Sequence, residues 1–370
     1  MTDQTSRQAW TAAETAAMRR ALELAATPGV PLGPNPRVGC VLLDDDGRTV
    51  AEGHHRGAGT AHAEADALAR AGERARGTTA VVTLEPCNHT GRTGPCAQAL
   101  LAAGVRRVVH AQADPNPVAA GGADTLRAAG VEVASGLLAD EARALNRVWT
   151  FAVETGRPFV TWKTATTLDG RSAAVDGTSR WISSTAARRD THRLRALADT
   201  MLVGTGTVLA DDPRLTVRDA HDRDLPHQPL RAVMGLRDLP PTSRVLDDAA
   251  ETLLLRTRDP HEALATLRQH DRQHVFLEGG AALAAAFIRA GLVDEVVAYV
   301  APAFLGAGTG TVADLGITTV SAAWRPRVVD VTVLQPVVDG EQPNVRLTLE
   351  PPPAVEVRAE RATRPEEGDS

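Results

Sequence analysis

The segment "AVVTLEPCNHTGRTGPCAQALLAAG" (residues 80–104) decides the fold of the N-terminal half. It opens as a short apolar run, breaks at Glu85-Pro86-Cys87, crosses a polar loop and resumes at Cys96 as an Ala/Leu-rich stretch. An apolar run of this length followed by an Ala-rich one reads as strand, loop, helix. Pro95 suits a helix start and puts Cys96 in the first turn. There the helix N-terminus favours a thiolate. The two cysteines alone leave four readings open: a disulfide, a redox pair, buried thiols or metal ligands.

The same alternation extends in both directions. Thr11 and Glu14 form a capping box ahead of the stripe Met18, Leu22, Ala25, and the helix should end near Pro28-Gly29. "RVGCVLLDDDGRTVAEGHHR" reads as a hairpin turning at Asp46-Gly47, with Cys40 in its core. "VRRVVHA" and "VEVA" are strands, each followed by a helical segment. Strand–helix alternation implies a mostly parallel sheet covered on its faces. "ETGRP" (154–158) looks like a linker, and a second alternating series follows. "SSTAARRDTHRLRALA" should be a helix capped by Ser183 or Ser184, and "AALAAAFIRAG" another. "RVVDVTVLQP" and "NVRLTLE" should form an antiparallel pair. The expected division is a first domain over 1–152, a second over 157–350 and a disordered tail over 351–370, which carries four prolines and mixed charge.

Composition narrows the function. Three cysteines in 370 residues are no disulfide framework and point to a reducing cytoplasm. No apolar run is long enough for a membrane span, and "MTDQTSRQAW" lacks the order of a signal peptide. A net charge of −6 with 3% aromatics argues against a nucleic-acid partner, which would need a basic face and stacking residues. One lysine, Lys163, stands among 40 basic residues. An otherwise all-arginine chain that keeps one lysine raises the question whether that position needs a compact ammonium.

A second motif joins the cysteines. "AHAEA" (61–65) supplies His62 and Glu64 at the start of an Ala-rich helix. His62, Cys87 and Cys96 give one imidazole and two thiolates, the donor set of an open catalytic zinc site. Glu64 is then placed as the carboxylate that shuttles protons without binding metal. Histidine, glutamate and a Pro-Cys pair in this order form the zinc nucleobase-deaminase arrangement. Eight residues, 88 to 95, separate the cysteines here, where that signature has two.

With "PNPRVGCVLL", "GHHRGAGTAHAEADAL", "VTLEPCNHTGRTGPCAQALLAAGVRRVV" and "ADPNPVAAGG", the first half resembles the deaminase domain of the bifunctional riboflavin-biosynthesis deaminase–reductase family. The long insert between the cysteines is that family's form of the motif. The resemblance implies that Asn35, His55, His89 and Arg92 contact substrate, with Asp114 and Asn116 shaping the pocket. Asn88 and Gly94 depart from the family's more usual Ser and Pro, so a small loop adjustment is expected.

In the second half no G-x-G-x-x-G follows a strand, and "GTGT" (204–207) has the wrong spacing and opens no convincing helix. "FLEGGAALAAAF" is the better phosphate candidate, with paired glycines at a helix start. "TWKTATTLDGR", "SRWISSTAARRDTHRLR" and "LVGTGTVLADDPRLTVR" are similar to the reductase half of the same family, whose fold is like dihydrofolate reductase and whose cofactor is NADPH. That likeness puts Ala165, Trp181, Thr207, Asp211, Gly279 and Gly280 at NADPH, and Lys163, Ser179, Arg195, Leu215, Arg218 and Glu278 at substrate.

The expected fold is therefore α/β: a cytidine-deaminase-like three-layer α/β/α domain, then a dihydrofolate-reductase-like α/β domain. The implied enzyme uses one zinc per chain to deaminate a phosphoribosylamino-pyrimidine, then NADPH to reduce its ribosyl group to ribityl. Family likeness also implies a dimer or tetramer. The competing reading is a tRNA or nucleobase deaminase fused to an unrelated reductase-like domain.

Overall fold

The computed structural model describes residues 10–30, 33–89 and 94–352. The tail expected to be disordered lies outside the described residues, apart from Pro351 and Pro352.

The first helix forms as its sequence requires. Thr11 caps α1 (Ala12–Ala25): its hydroxyl accepts from the Glu14 amide at 3.0 Å, and the Glu14 carboxylate accepts from the Thr11 amide at 2.8 Å. Two otherwise orphaned donors are thereby satisfied. β1 (Gly39–Leu43) and β2 (Thr49–His54) make the antiparallel hairpin, its turn closed by the Gly47 amide donating to the Asp44 carbonyl. Then come α2 (Ala63–Ala71), β3 (Thr79–Leu84), α3 (Cys96–Ala102), β4 (Arg107–Gln112), α4 (Gly122–Ala128), β5 (Glu132–Ser135), α5 (Ala139–Leu145) and α6 (Arg147–Thr155). The sheet order is β2-β1-β3-β4-β5, with β3, β4 and β5 parallel.

Every residue of β1 and β3 is buried, so this sheet is covered on both faces. Strand alternation sorts the side chains between two cores. Cys40, Leu42, Val82 and Val108 pack with Ala67 of α2, Leu100 of α3 and Leu126 of α4. Val41, Leu43, Val81 and Val109 pack with Met18 of α1 and Ala142 of α5. The result is the expected three-layer α/β/α arrangement, with Cys40 as core. Gly53 sets the depth of α2. A Cβ there would lie 2.4 Å from the Ala63 carbonyl oxygen and the Ala67 nitrogen, so the helix rests directly on β2. That contact fixes the helix start, which carries His62 and Glu64.

The second half runs β6 (Phe159–Thr167), β7 (Arg171–Ala173), α7 (Thr185–Arg195), β8 (Thr200–Gly204), α8 (Thr205–Asp211), β9 (Leu230–Met234), β10 (Thr252–Leu255), α9 (Pro260–Gln269), β11 (His274–Leu277), α10 (Ala281–Arg289), β12 (Glu295–Ala301), β13 (Thr309–Gly310), β14 (Arg327–Leu334) and β15 (Asn344–Glu350). Of the two cap candidates for α7, Ser184 is used: its Oγ accepts from the Ala187 amide at 3.3 Å. The "GTGT" expectation fails, because α8 opens directly after Gly204. Glycine and threonine are weak helix formers, yet Val208 is buried with Met201, Val203, Leu215, Val233 and Phe276. Packing of one apolar side overrides local propensity there.

By compactness the chain divides into two units, residues 1–160 with 189–278, and 161–188 with 279–370. In the first, β10, β9, β8 and β11 lie side by side in that order, all parallel, in addition to the N-terminal sheet. In the second, β12 pairs parallel with β6 and antiparallel with β15, and β15 pairs antiparallel with β14, as the sequence pattern anticipates.

Candidate functional site

The carboxyl ends of β3 and β4 and the N-termini of α2 and α3 converge on one cluster. His62 is the N-cap residue of α2, and Cys96 is the first residue of α3. Cys87 lies three residues beyond β3. The His62 Nδ1 stands 3.5 Å from the Cys87 Sγ and 3.3 Å from the Cys96 Sγ. All three donor atoms lie within 4.8 Å of one another. Zinc bonded tetrahedrally to nitrogen and sulfur would separate such donors by about 3.5 Å. The donor set and its spacing therefore fit zinc. Both cysteines are free and buried, which leaves the disulfide reading without support.

The cluster's electrostatics are those of groups that share protons at close range. The Cys96 thiol and His62 hold Cys87 down to about 4, and the Cys96 thiol is pushed up in return. The hydrogen bond to Cys87 raises His62. The Cys96 backbone amide also donates to the Cys87 sulfur at 3.3 Å, a contact that favours the thiolate. A divalent cation would release the remaining thiol proton. Glu64 is 3% exposed in the first turn of α2. Burial pushes its carboxyl up to about 7, and the Cys87 charge adds to the effect. A carboxyl poised near neutrality can both take and return a proton.

A cleft of about 420 Å³ opens over this cluster, and Asn35, His55, His89, Asp114 and Asn116 all line it. Arg92, expected beside them, lies outside the described residues. The His55 Nδ1 faces the Ala61 carbonyl at 3.0 Å and must donate to it, because a carbonyl can only accept. Nε2 is then the acceptor for the Asn35 amide at 3.0 Å. Burial lowers the pKa of His55, which matches this neutral tautomer. The His89 Nδ1 is buried at the cleft wall, with no hydrogen-bond partner among the described residues. Burial raises Asp114 to about 6, and its Oδ1 accepts from the Asn116 amide.

Glu85 and Trp149 also line the cleft and were not among the expected site residues. Glu85 accepts from the Gly121 and Ala123 amides at 3.1 Å and from the Asp114 amide at 3.2 Å, so it ties the loop after β4 to the end of β3. An acid directly after a fully apolar strand was the available signal. Trp149, from α6, closes the cleft from a distant stretch of chain and left no local signal. At the departures from family pattern, Asn88 bonds Ala119 through its amide and Thr125 through its side chain, while Gly94 has open space around it.

The residues expected at the reductase site are spread over both units. In the first, Arg195 and Glu278 form a two-point ion pair at 2.5 and 2.8 Å. Each was expected to face substrate; here they face each other. Leu215 is buried with φ of 56°, and the Arg218 amide donates to the His192 Nδ1. Thr207 and Asp211 lie on α8. In the second unit, Lys163 and Ala165 lie on β6, and the Lys163 Nζ is 5.9 Å from the Tyr299 ring centre. Ser179 precedes α7, and Trp181 is 69% exposed with the Arg188 guanidinium 4.4 Å over its ring. Gly279 and Gly280 lead into α10, with Gly280 as its N-cap.

Comparison with known proteins matches both halves. Residues 11–112 match the cytidine and deoxycytidylate deaminase zinc-binding region, and residues 158–337 match the RibD C-terminal domain. The riboflavin biosynthesis protein RibD of Mycobacterium tuberculosis is 54% identical over 293 residues, covering 79% of this chain and 86% of that protein. The chain belongs to the RibD family. RibD of Escherichia coli is 42% identical, over 78% of this chain and 88% of its own length. The solved structure of Acinetobacter baumannii RibD superposes with a TM-score of 0.84 at 38% identity, covering 92% of this chain and 99% of that one. A Thermotoga maritima structure, described as a diaminohydroxyphosphoribosylaminopyrimidine deaminase/5-amino-6-(5-phosphoribosylamino)uracil reductase, gives 0.79 at 31%, with the same coverage. The chain is thus a bifunctional riboflavin-biosynthesis enzyme with a deaminase domain followed by a reductase domain. A nucleobase deaminase fused to an unrelated domain is set aside, because both halves match one family in its own order.

Proposed function

We propose that this chain carries out both reactions named for the Thermotoga maritima relative. The deaminase half acts on 2,5-diamino-6-(5-phosphoribosylamino)pyrimidin-4(3H)-one. The reductase half then reduces the ribosyl group of 5-amino-6-(5-phosphoribosylamino)uracil with NADPH. The observation that carries the first reaction is the buried Glu64 beside the His62–Cys87–Cys96 donor set, at the floor of the cleft. Zinc held by His62, Cys87 and Cys96 would supply Lewis acidity to the reaction. Glu64 takes a proton from the attacking water and returns it to the departing amino group, so ammonia leaves uncharged. Asn35, His55, His89 and Asn116 hold the pyrimidine, with His55 kept in one tautomer by Ala61. Asp114 orders the loop that carries Asn116.

The second half is proposed to hold NADPH with Ala165, Trp181, Thr207, Asp211 and the Gly279-Gly280 turn. Lys163, Ser179, Leu215 and Arg218 are assigned to substrate. The Arg195–Glu278 pair forms a rigid wall, since each partner fixes the other. Replacing Lys163 with arginine tests the lone lysine. A broad planar guanidinium cannot take the place of a compact ammonium beside the buried Tyr299 ring. Reduction should lose at least about tenfold in kcat/KM while deamination stays normal. Unchanged reduction would make the compositional oddity accidental.

The functional test is a two-step assay. Zinc-loaded protein receives the diaminopyrimidine ribosyl phosphate and NADPH. Ammonia release should precede the loss of nicotinamide absorbance. The absence of both signals would overturn the proposal. No helix among the described residues is long and apolar enough to cross a membrane, and three free cysteines support a cytoplasmic setting. We also propose a homo-oligomer of two or four chains. The edge strand β14 exposes Val328, Val329, Val331 and Val333, a surface that natural sheets seldom leave bare. Light scattering should give at least twice the chain's 39.0 kDa, and a monomer mass would remove this part of the reading.

A further inference from the structure

The loop that carries Asn35 is clamped from two directions. On the C-terminal side, the Asn146 side chain accepts from the Arg37 amide and donates to the Arg37 carbonyl, both at 2.8 Å. That clamp lies within the N-terminal half. On the other side, Gln273 Nε2 donates to the Pro34 carbonyl at 2.9 Å. Gln273 stands immediately before β11, in the second half of the sequence but in the same compact unit as the cleft.

Gln273 is itself held firmly. It is 5% exposed. One Asp199 carboxylate oxygen accepts from the Gln273 amide at 2.7 Å and from the His274 amide at 3.1 Å. The Gln273 side-chain oxygen lies close against Gly33, where an added Cβ would approach it to 3.3 Å. Gly33 has φ of +80°, so both conformation and space favour glycine there. The carbonyl that Gln273 grips belongs to the peptide group joining Pro34 to Asn35. Fixing that plane fixes the direction in which the Asn35 side chain leaves the backbone. Asn35 in turn donates to the His55 Nε2, and both residues line the cleft.

We propose that Gln273 is a positioning residue for deamination, supplied to the N-terminal cleft by the part of the chain that otherwise belongs to the reductase. This inference rests on the deaminase assignment above and deepens it. A chain cut at the linker would keep every zinc donor and Glu64 and still lose the support of Asn35. The effect belongs in substrate binding, because Gln273 touches neither the donor set nor Glu64.

The test uses the full chain. Gln273→Met keeps the length and removes the donor. KM for the diaminopyrimidine phosphate should rise about fivefold, the scale of one lost hydrogen bond, with kcat held within about twofold. Zinc content and reduction of ready-made deaminated intermediate should stay at wild-type values, and the melting temperature should fall by only a few degrees. In an Asn35→Ala background the same change should add less than about twofold, because the residue through which it acts is gone. A normal KM in folded Gln273→Met, or full additivity with Asn35→Ala, overturns the proposal. If Gln273→Met fails to fold, Gln273→Leu gives the second reading. Equal loss of both activities in both variants would make the residue purely structural and also overturns it. Wild-type protein that released no ammonia would sink the functional reading and this inference with it. That failure is distinct, because it shows before any residue is changed.

Discussion

Glu64→Gln should lower the rate of ammonia release by about 10³-fold, within the span that a positioned acid–base group contributes. The substitution keeps the size of a side chain that is 3% exposed, so the packing of α2 on β2 stays intact. It removes only the ability to take up and give back a proton. Glu64 is not among the three clustered donors, so zinc content should remain at one per chain. Reduction of the deaminated intermediate, assayed separately, should be unaffected. The kinetic loss should fall on kcat, since the role proposed for Glu64 is proton transfer and not the holding of the ribosyl phosphate. Substantial ammonia release from zinc-loaded Glu64→Gln would show that another group moves the proton. Asp114, pushed up to about 6 by burial on the same cleft, would then be the next residue to change.

The sequence made the N-terminal half legible because its signals are local and mutually consistent. The capping box at Thr11, the hairpin at Gly47 and the apolar strand ending in Glu-Pro-Cys each depend on neighbours within a few residues. His62 and Cys96 could be placed at helix starts for the same reason. The parts that stayed hidden depend on distant chain. The α8 helix exists because Val208 packs into a core built from β8, β9 and β11. Trp149 lines the cleft from α6, and Gln273, immediately before β11, holds the Pro34 carbonyl of the loop that carries Asn35. The mutual pairing of Arg195 and Glu278 was invisible for a related reason. Eighty-three positions separate them, and the family likeness placed each at substrate without pairing them.

Cys96→Ser carries the other large expected effect. Among the described residues, His62, Cys87 and Cys96 form the sole group of metal-ligating side chains this close together. Cys96 is 1% exposed and packs with Cys87 and Ala119, so its sulfur is held in place by the surrounding core. A serine hydroxyl in that place is a poor zinc ligand, because it stays protonated where a thiol ionises. Zinc content should fall from about one per chain to near zero, and deamination should drop by more than about 10³-fold with the loss of Lewis acidity. The fold should survive. Zinc-dependent folding is the rule for small domains without a core, whereas this sheet is packed on both faces by the clusters around Leu100 and Met18. Thermal melting should therefore shift by only a few degrees, and reduction of the deaminated intermediate should persist. Metal analysis, ammonia release and melting on the same preparation decide the matter. Full zinc occupancy with normal deamination would remove Cys96 from the metal set. Collapse of both activities would mean that the cluster's main work is to hold the domain together.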